Sequence, residues 1–153
     1  MMYRTHLMVG VFFALLFLPA IENKISFAIV VLFCSLLPDV DSMHSKLGRH
    51  WFLRPIQWCI KHRDMLHSFT FCIIFTLFFV FYFPILALPF FLGYAGHLVS
   101  DAITIEGIRA WWPSKKRIEG KIKTDGKAEK WFYYVLILAN FFFLIRFINI
   151  IVL

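Results

Sequence analysis

The stretch GYAGHLVSDAITIEG (93–107) sets an imidazole, His97, and a carboxylate, Asp101, four positions apart where an almost unbroken apolar run gives way to charged sequence. On an α-helix that spacing is about 40° of rotation, so the two share a face, which Gly93 shares as well. Ionisable groups inside such runs are costly to desolvate and usually functional. A hydrogen bond to a neighbouring helix is the plain use of the pair. A metal-ligand role compensates the burial of both.

Other candidate donors stand at comparable boundaries. THLMVG holds His6, LLPDVDS holds Asp39 and Asp41, and HRDMLHS holds His62 and His67. Taken singly, the two aspartates can cap turns after Pro38 and His6 can sit at an interface. His62 and His67 are about 140° apart on a helix, so one belongs to a loop and the other to a helix. Taken together, histidine nitrogen and aspartate oxygen suit Zn²⁺, Mn²⁺ or Fe²⁺. Seven such residues are too many for one tetrahedral ion. They suit two ions about 3.5–4 Å apart bridged by a carboxylate, an arrangement used in phosphoester hydrolysis. The H-E-x-x-H, P-loop and G-x-S-x-G signatures are absent.

The elements that must position these residues are apolar blocks at 7–21, 25–38, 68–83, 85–103 and 131–153. A full membrane span needs about 20 residues; the last block clears this, the third and fourth nearly do. The first two are short and joined only by Glu22-Asn23-Lys24, which suggests a thin, tilted or partly re-entrant hairpin. The expected fold is therefore all-α, a polytopic membrane bundle of about five apolar helices, with residues 1–153 as one domain. Composition agrees: 61% of residues are hydrophobic and 16% charged, with twenty phenylalanines and a mean hydropathy of +0.76. Soluble domains are nearer half apolar and a quarter charged. Arg4 followed by an apolar run and LPA imitates a signal peptide, but Leu18 occupies a position where cleavage wants a small residue. Cys34, Cys59 and Cys72 are odd in number and without C-x-x-C spacing, which indicates neither a disulfide framework nor a zinc ribbon.

Charge distribution gives an orientation. With five spans, fourteen of the sixteen Lys and Arg residues fall on the side of the N-terminus and the 39–67 and 104–130 loops. Only Lys24 falls opposite, and Arg146 lies within the last span. The positive-inside rule then places the charged loops in the cytoplasm. The net charge of +7 is thus first a matter of topology, and no nucleic-acid partner is expected. Trp–Arg–Lys mixtures in RHWFLRPIQW (49–58) and RAWWPSKKR (109–117) fit headgroup anchoring. All the candidate donors then lie at one, cytoplasmic, membrane level.

THxxxG, LLPDxD, HRxxxHS, GYxxHLxxDxxTxxG and a following WP, in that order from about Tyr3 to Pro113, resemble the YdjM-like family, inner-membrane proteins regarded as metal-dependent hydrolases. That family is distantly similar to zinc-dependent phospholipase C and P1-type nucleases. The resemblance implies metal ligands at His6, Asp39, Asp41, His62, His67, His97 and Asp101. In the soluble relatives a His-x-x-x-Asp pair binds the metal cluster through a bridging Asp; His97 and Asp101 match it. Those relatives hold a third zinc with downstream histidines, and this chain has none after Asp101.

The expected protein is an inner-membrane hydrolase of phosphoesters, a lipid headgroup among the candidate substrates, with two zinc ions (or Mn or Fe) facing the cytoplasm. Asp101 bridges the ions. His97, His6, Asp39 or Asp41, and one of His62 and His67 complete the shells. Arg63 stabilises developing charge on phosphate oxygens, and Thr104 orients a ligand. The alternative is a membrane protein that transports or senses a metal ion or proton through the same cluster. A pore would continue the polar residues to the far side of the spans, where the first four blocks have none.

Overall fold

A computed structural model describes residues 1–41 and 65–152, without the side chains of Val40, Asp41, Ile151 and Val152. The described residues form five α-helices and no strands. These are α1 (Tyr3–Phe17), α2 (Lys24–Cys34), α3 (Phe69–Tyr82), α4 (Pro84–Ala102) and α5 (Lys127–Val152), with 3-10 turns at Leu18–Ala20 and Leu37–Asp41. The apolar blocks and the helices coincide to within a few residues.

Local chemistry sets the boundaries. The Ser68 hydroxyl accepts from Phe71 N–H at 3.2 Å, an N-cap that starts α3 at Phe69. Consequently His67 lies in the turn before the helix and not on it. Pro84, whose fixed φ suits a first helical position, starts α4 directly after Phe83. The α1–α2 pair is a hairpin of unequal arms. Tyr3–Ala20 is long and apolar enough to cross a membrane. The eleven residues of α2 extend only about 16 Å, roughly half of a ~30 Å hydrocarbon core. Pro84–Ala102 and Lys127–Ile150 also have the length and composition of spans, and Phe69–Tyr82 is a shorter apolar helix.

Helix α4 is the centre of the bundle, packing on α1, α2 and α3, while α5 lies against α1. Some 61% of the α4 span is buried against 11% of the α5 span, so α5 gives most of its apolar surface to the surroundings. A helix apolar all round and scarcely covered by protein needs a non-aqueous solvent. The bilayer is that solvent. Close contact between α2 and α4 depends on Gly93, where an added Cβ would lie 2.4 Å from the Val31 carbonyl oxygen. After α4 the chain folds over one end of the bundle. Thr104 pairs with Ile122 and Ile108 with Ile118 as isolated bridges, and the Ala110 carbonyl accepts from Phe69 N–H at 2.8 Å.

Candidate metal centre

Alternating helix direction gathers the polar residues at that end. It is the N-terminal end of α1, the turn after α2, the turn before α3, and the C-terminal end of α4. His6, His67, His97 and Asp101 are all buried. Four segments distant in sequence therefore supply one cluster.

The hydrogen bonds fix the ring tautomers. His97 Nδ1 lies 2.8 Å from the Ser35 carbonyl oxygen, which can only accept, so Nδ1 carries the proton. His6 Nδ1 lies 2.9 Å from Ser100 Oγ, whose own hydrogen goes to the His97 carbonyl at 2.8 Å. His6 Nδ1 therefore donates as well. Both Nε2 atoms are left as lone pairs, buried and without a hydrogen-bond partner among the described residues. Fixing Nδ1–H on a carbonyl or hydroxyl so that Nε2 is free is how proteins orient a metal-binding histidine.

The two lone pairs meet carboxylate oxygen. Asp101 Oδ1 is 3.3 Å from His6 Nε2, while Oδ2 is 3.7 Å from His97 Nε2 and 3.8 Å from His67 Nε2. Asp39 Oδ1 is 3.9 Å from His97 Nε2 and 4.0 Å from His67 Nε2. Acceptor facing acceptor in a buried space is unfavourable unless a cation lies between. Tetrahedral zinc with bonds of 2.0–2.1 Å separates its ligands by roughly 3.3 Å, and the separations here, 3.3 to 4.0 Å, match or exceed that by less than an ångström. Two triads, His6–Asp39–His97 and His67–His97–Asp101, have ligand atoms within 4.8 Å of one another. The donor set fits a divalent transition metal. The Met1 amino group also contacts Asp101 Oδ1. Burial pushes the Asp39 carboxyl up from its ordinary range; His6 and His67 pull it back, and Asp101 raises it further.

A sequence profile of the YdjM inner membrane protein family matches residues 1–151. The chain belongs to that family. It is 35% identical over 106 residues to the inner membrane proteins YdjM of Escherichia coli (strain K12) and Shigella flexneri, covering 62% of this chain and 53% of each of those. It is 31% identical over 88 residues to YvsG of Bacillus subtilis (strain 168), covering 55% of each chain. The chain thus spans about half the length of the curated relatives it matches. No solved structure matches it.

Of the residues singled out from this family member's sequence, His6, Asp39, His67, His97 and Asp101 come together. His62 and Arg63 lie outside the described residues, as does the Asp41 side chain. Thr104 acts on backbone: its hydroxyl donates to the Asp101 carbonyl at 2.7 Å and accepts from Gly107 N–H at 3.3 Å. It secures the end of α4 that carries Asp101. Sequence reasoning missed Ser35 and Ser100, which orient His97 and His6. It also missed Glu129, a buried carboxylate on α5. Glu129 accepts from Met2 N–H at 2.6 Å, Thr5 Oγ1 at 2.9 Å and Asp125 N–H at 2.7 Å. Through it α5 holds the first turn of α1, and hence His6. The available signals were small: a serine within GHLVSD, another within CSLLPD, and one acid opening an otherwise apolar helix.

Proposed function

We propose that the protein is a membrane-embedded, metal-dependent hydrolase of phosphoesters, with its centre at the cytoplasmic face. The observation that carries this reading is the pair of buried Nε2 lone pairs, on His6 and His97, directed at the Asp101 carboxylate. His67, His97, Asp39 and Asp101 would hold one ion. His6 and the other oxygen of Asp101 would begin the shell of a second ion, with Asp39 close to His6 and His97. A bound divalent ion supplies Lewis acidity and lowers the pKa of water towards neutrality.

The chain's own groups do the rest. Ser35 and Ser100 keep the rings in the tautomer that presents Nε2. Asp101, backed by Thr104 through the helix end, sets the spacing of the two halves of the centre. The apolar walls of α1 and α4 exclude bulk water and strengthen the electrostatic interactions of a phosphate there. Cytoplasmic orientation is supported by the fourteen-to-one distribution of basic residues.

The test is the full chain purified in detergent, with metal content measured by elemental analysis and turnover of bis(p-nitrophenyl) phosphate followed with Zn²⁺, Mn²⁺ or Fe²⁺. Metal bound in stoichiometric amount with chelator-sensitive turnover is expected. Bound metal with no turnover of any phosphomonoester or phosphodiester would count against a hydrolase and in favour of metal sensing or transport.

A further inference from the structure

An apolar groove of about 390 Å³ runs between α1, α4 and α5, the three helices long and apolar enough to span a membrane. Phe12, Phe13, Phe91, Ala95, Val99 and Phe132 form most of its wall. On α4 it extends from Phe91 to Ile103, about 18 Å at 1.5 Å per residue. One leaflet of a ~30 Å hydrocarbon core is about 15 Å deep, so the groove has the length of a single leaflet. Ser100 is on its wall, with its hydroxyl turned away from the groove to receive the His6 Nδ1–H at 2.9 Å. One side chain therefore separates the groove from the candidate metal centre.

We infer that this groove seats an acyl chain of a membrane phospholipid, holding the lipid's phosphate at the His6–Asp101 end. The inference rests on the hydrolase reading for what happens to that phosphate and names the substrate class: a phospholipid entering sideways from the bilayer. Shape favours a chain over a helix of another subunit. A helix about 10 Å across would insert only part of one face into a groove of about 390 Å³, whereas a single extended acyl chain can lie along its whole length. Each methylene moved between lipid and an equally apolar groove changes little, so the groove gives register more than affinity. It aligns the headgroup with the metal centre.

The test uses the full chain in dodecyl maltoside with added palmitoyl-oleoyl phosphatidylglycerol, and native mass spectrometry reads lipid occupancy. Val99, 53% exposed at the groove's rim, accommodates a larger side chain. Val99→Trp and Ala95→Phe are each expected to lower occupancy at least fivefold with metal content unchanged. Leu138→Trp, at a position 69% exposed and away from the groove, should leave occupancy as in the wild type. Equal lipid retention by all three variants would overturn the inference. So would a groove variant that alters the oligomeric state and not lipid occupancy. Groove-dependent retention without phosphoester turnover would sink the hydrolase reading while leaving the acyl seat in place. Turnover of a water-soluble phosphodiester without groove-dependent retention would do the reverse.

Discussion

The imidazoles of His6 and His97 stack face to face, 3.8 Å between centroids and 12° from parallel. Each has its Nδ1 proton engaged behind it, by Ser100 and by Ser35. Each offers Nε2 forward. The stack thus places two candidate ligand atoms side by side before Asp101, one for each oxygen of its carboxylate.

Loss of either member of the α4 pair should empty the centre. His97→Ala and Asp101→Ala are expected to lower bound transition metal about tenfold or more, since even residues that merely support ligands alter affinity by 10–100-fold. His44→Ala and His50→Ala serve as controls and should bind as the wild type. Wild-type metal content in all four, by elemental analysis, would mean that the ligands lie elsewhere.

His6 reports on the number of ions. It approaches Asp101 Oδ1, whereas His67 and His97 approach Oδ2. A single catalytic zinc needs three protein ligands, which His67, His97 and Asp101 would already supply. His6→Ala should therefore reduce the stoichiometry from near two metals per chain towards one and abolish most hydrolysis. Saturation of the wild type at one equivalent, with His6→Ala fully active, would rule out the dinuclear arrangement.

Glu129 should matter more for stability than its place on an exposed helix suggests. Glu129→Ala leaves the Met2 and Asp125 N–H groups and the Thr5 hydroxyl without their acceptor, and an unsatisfied buried polar group costs about 1–3 kcal/mol. The expected result is a clear fall in thermal midpoint in detergent, with weakened metal binding because His6 follows Thr5 directly. Glu129→Gln keeps one acceptor oxygen and should fall less. An unchanged midpoint for Glu129→Ala would show that α5 does not anchor α1 in this way.

Gly93 should tolerate no side chain. A Cβ there meets the Val31 carbonyl oxygen at 2.4 Å and Cys34 Cβ at 2.9 Å, and both belong to α2. Gly93→Val forces α2 and α4 apart and lengthens the 2.8 Å contact of His97 Nδ1 with the Ser35 carbonyl. Reduced metal content is the expected readout, with Gly93→Ala intermediate. Full metal occupancy in Gly93→Val would refute the coupling between packing and ligand orientation.

Membrane orientation can be read in intact cells with an impermeant thiol reagent. In a variant lacking the three native cysteines, cysteine at position 46 or 121 should be shielded and cysteine at position 24 labelled. Labelling of the 104–130 segment from outside would reverse the orientation and place the centre on the opposite face.

The apolar blocks and their boundaries were legible in the sequence because bilayer solvation acts on each segment separately. A run of apolar residues must become a helix in hydrocarbon, since only a helix satisfies its backbone within one segment. For the same reason His6, Asp39, His67, His97 and Asp101 stood out: each is an ionisable residue at the edge of such a run. The four-residue spacing of His97 and Asp101 already put them on one face.

What their neighbours do was not legible. Ser35 and Ser100 look like any serine in an apolar helix until α2, α4 and α1 meet, because a tautomer is fixed by a partner from another segment. Glu129 reads as one of four acids in the charged 104–130 stretch, yet the fold buries it against the start of α1. His67 illustrates the limit from the other direction: periodicity allows it a helical position, and the Ser68 cap excludes it. The groove beside Ser100 belongs to no single helix. Local hydropathy fixes which segments enter the bilayer; which lone pairs face one another depends on how tightly helices distant in sequence approach.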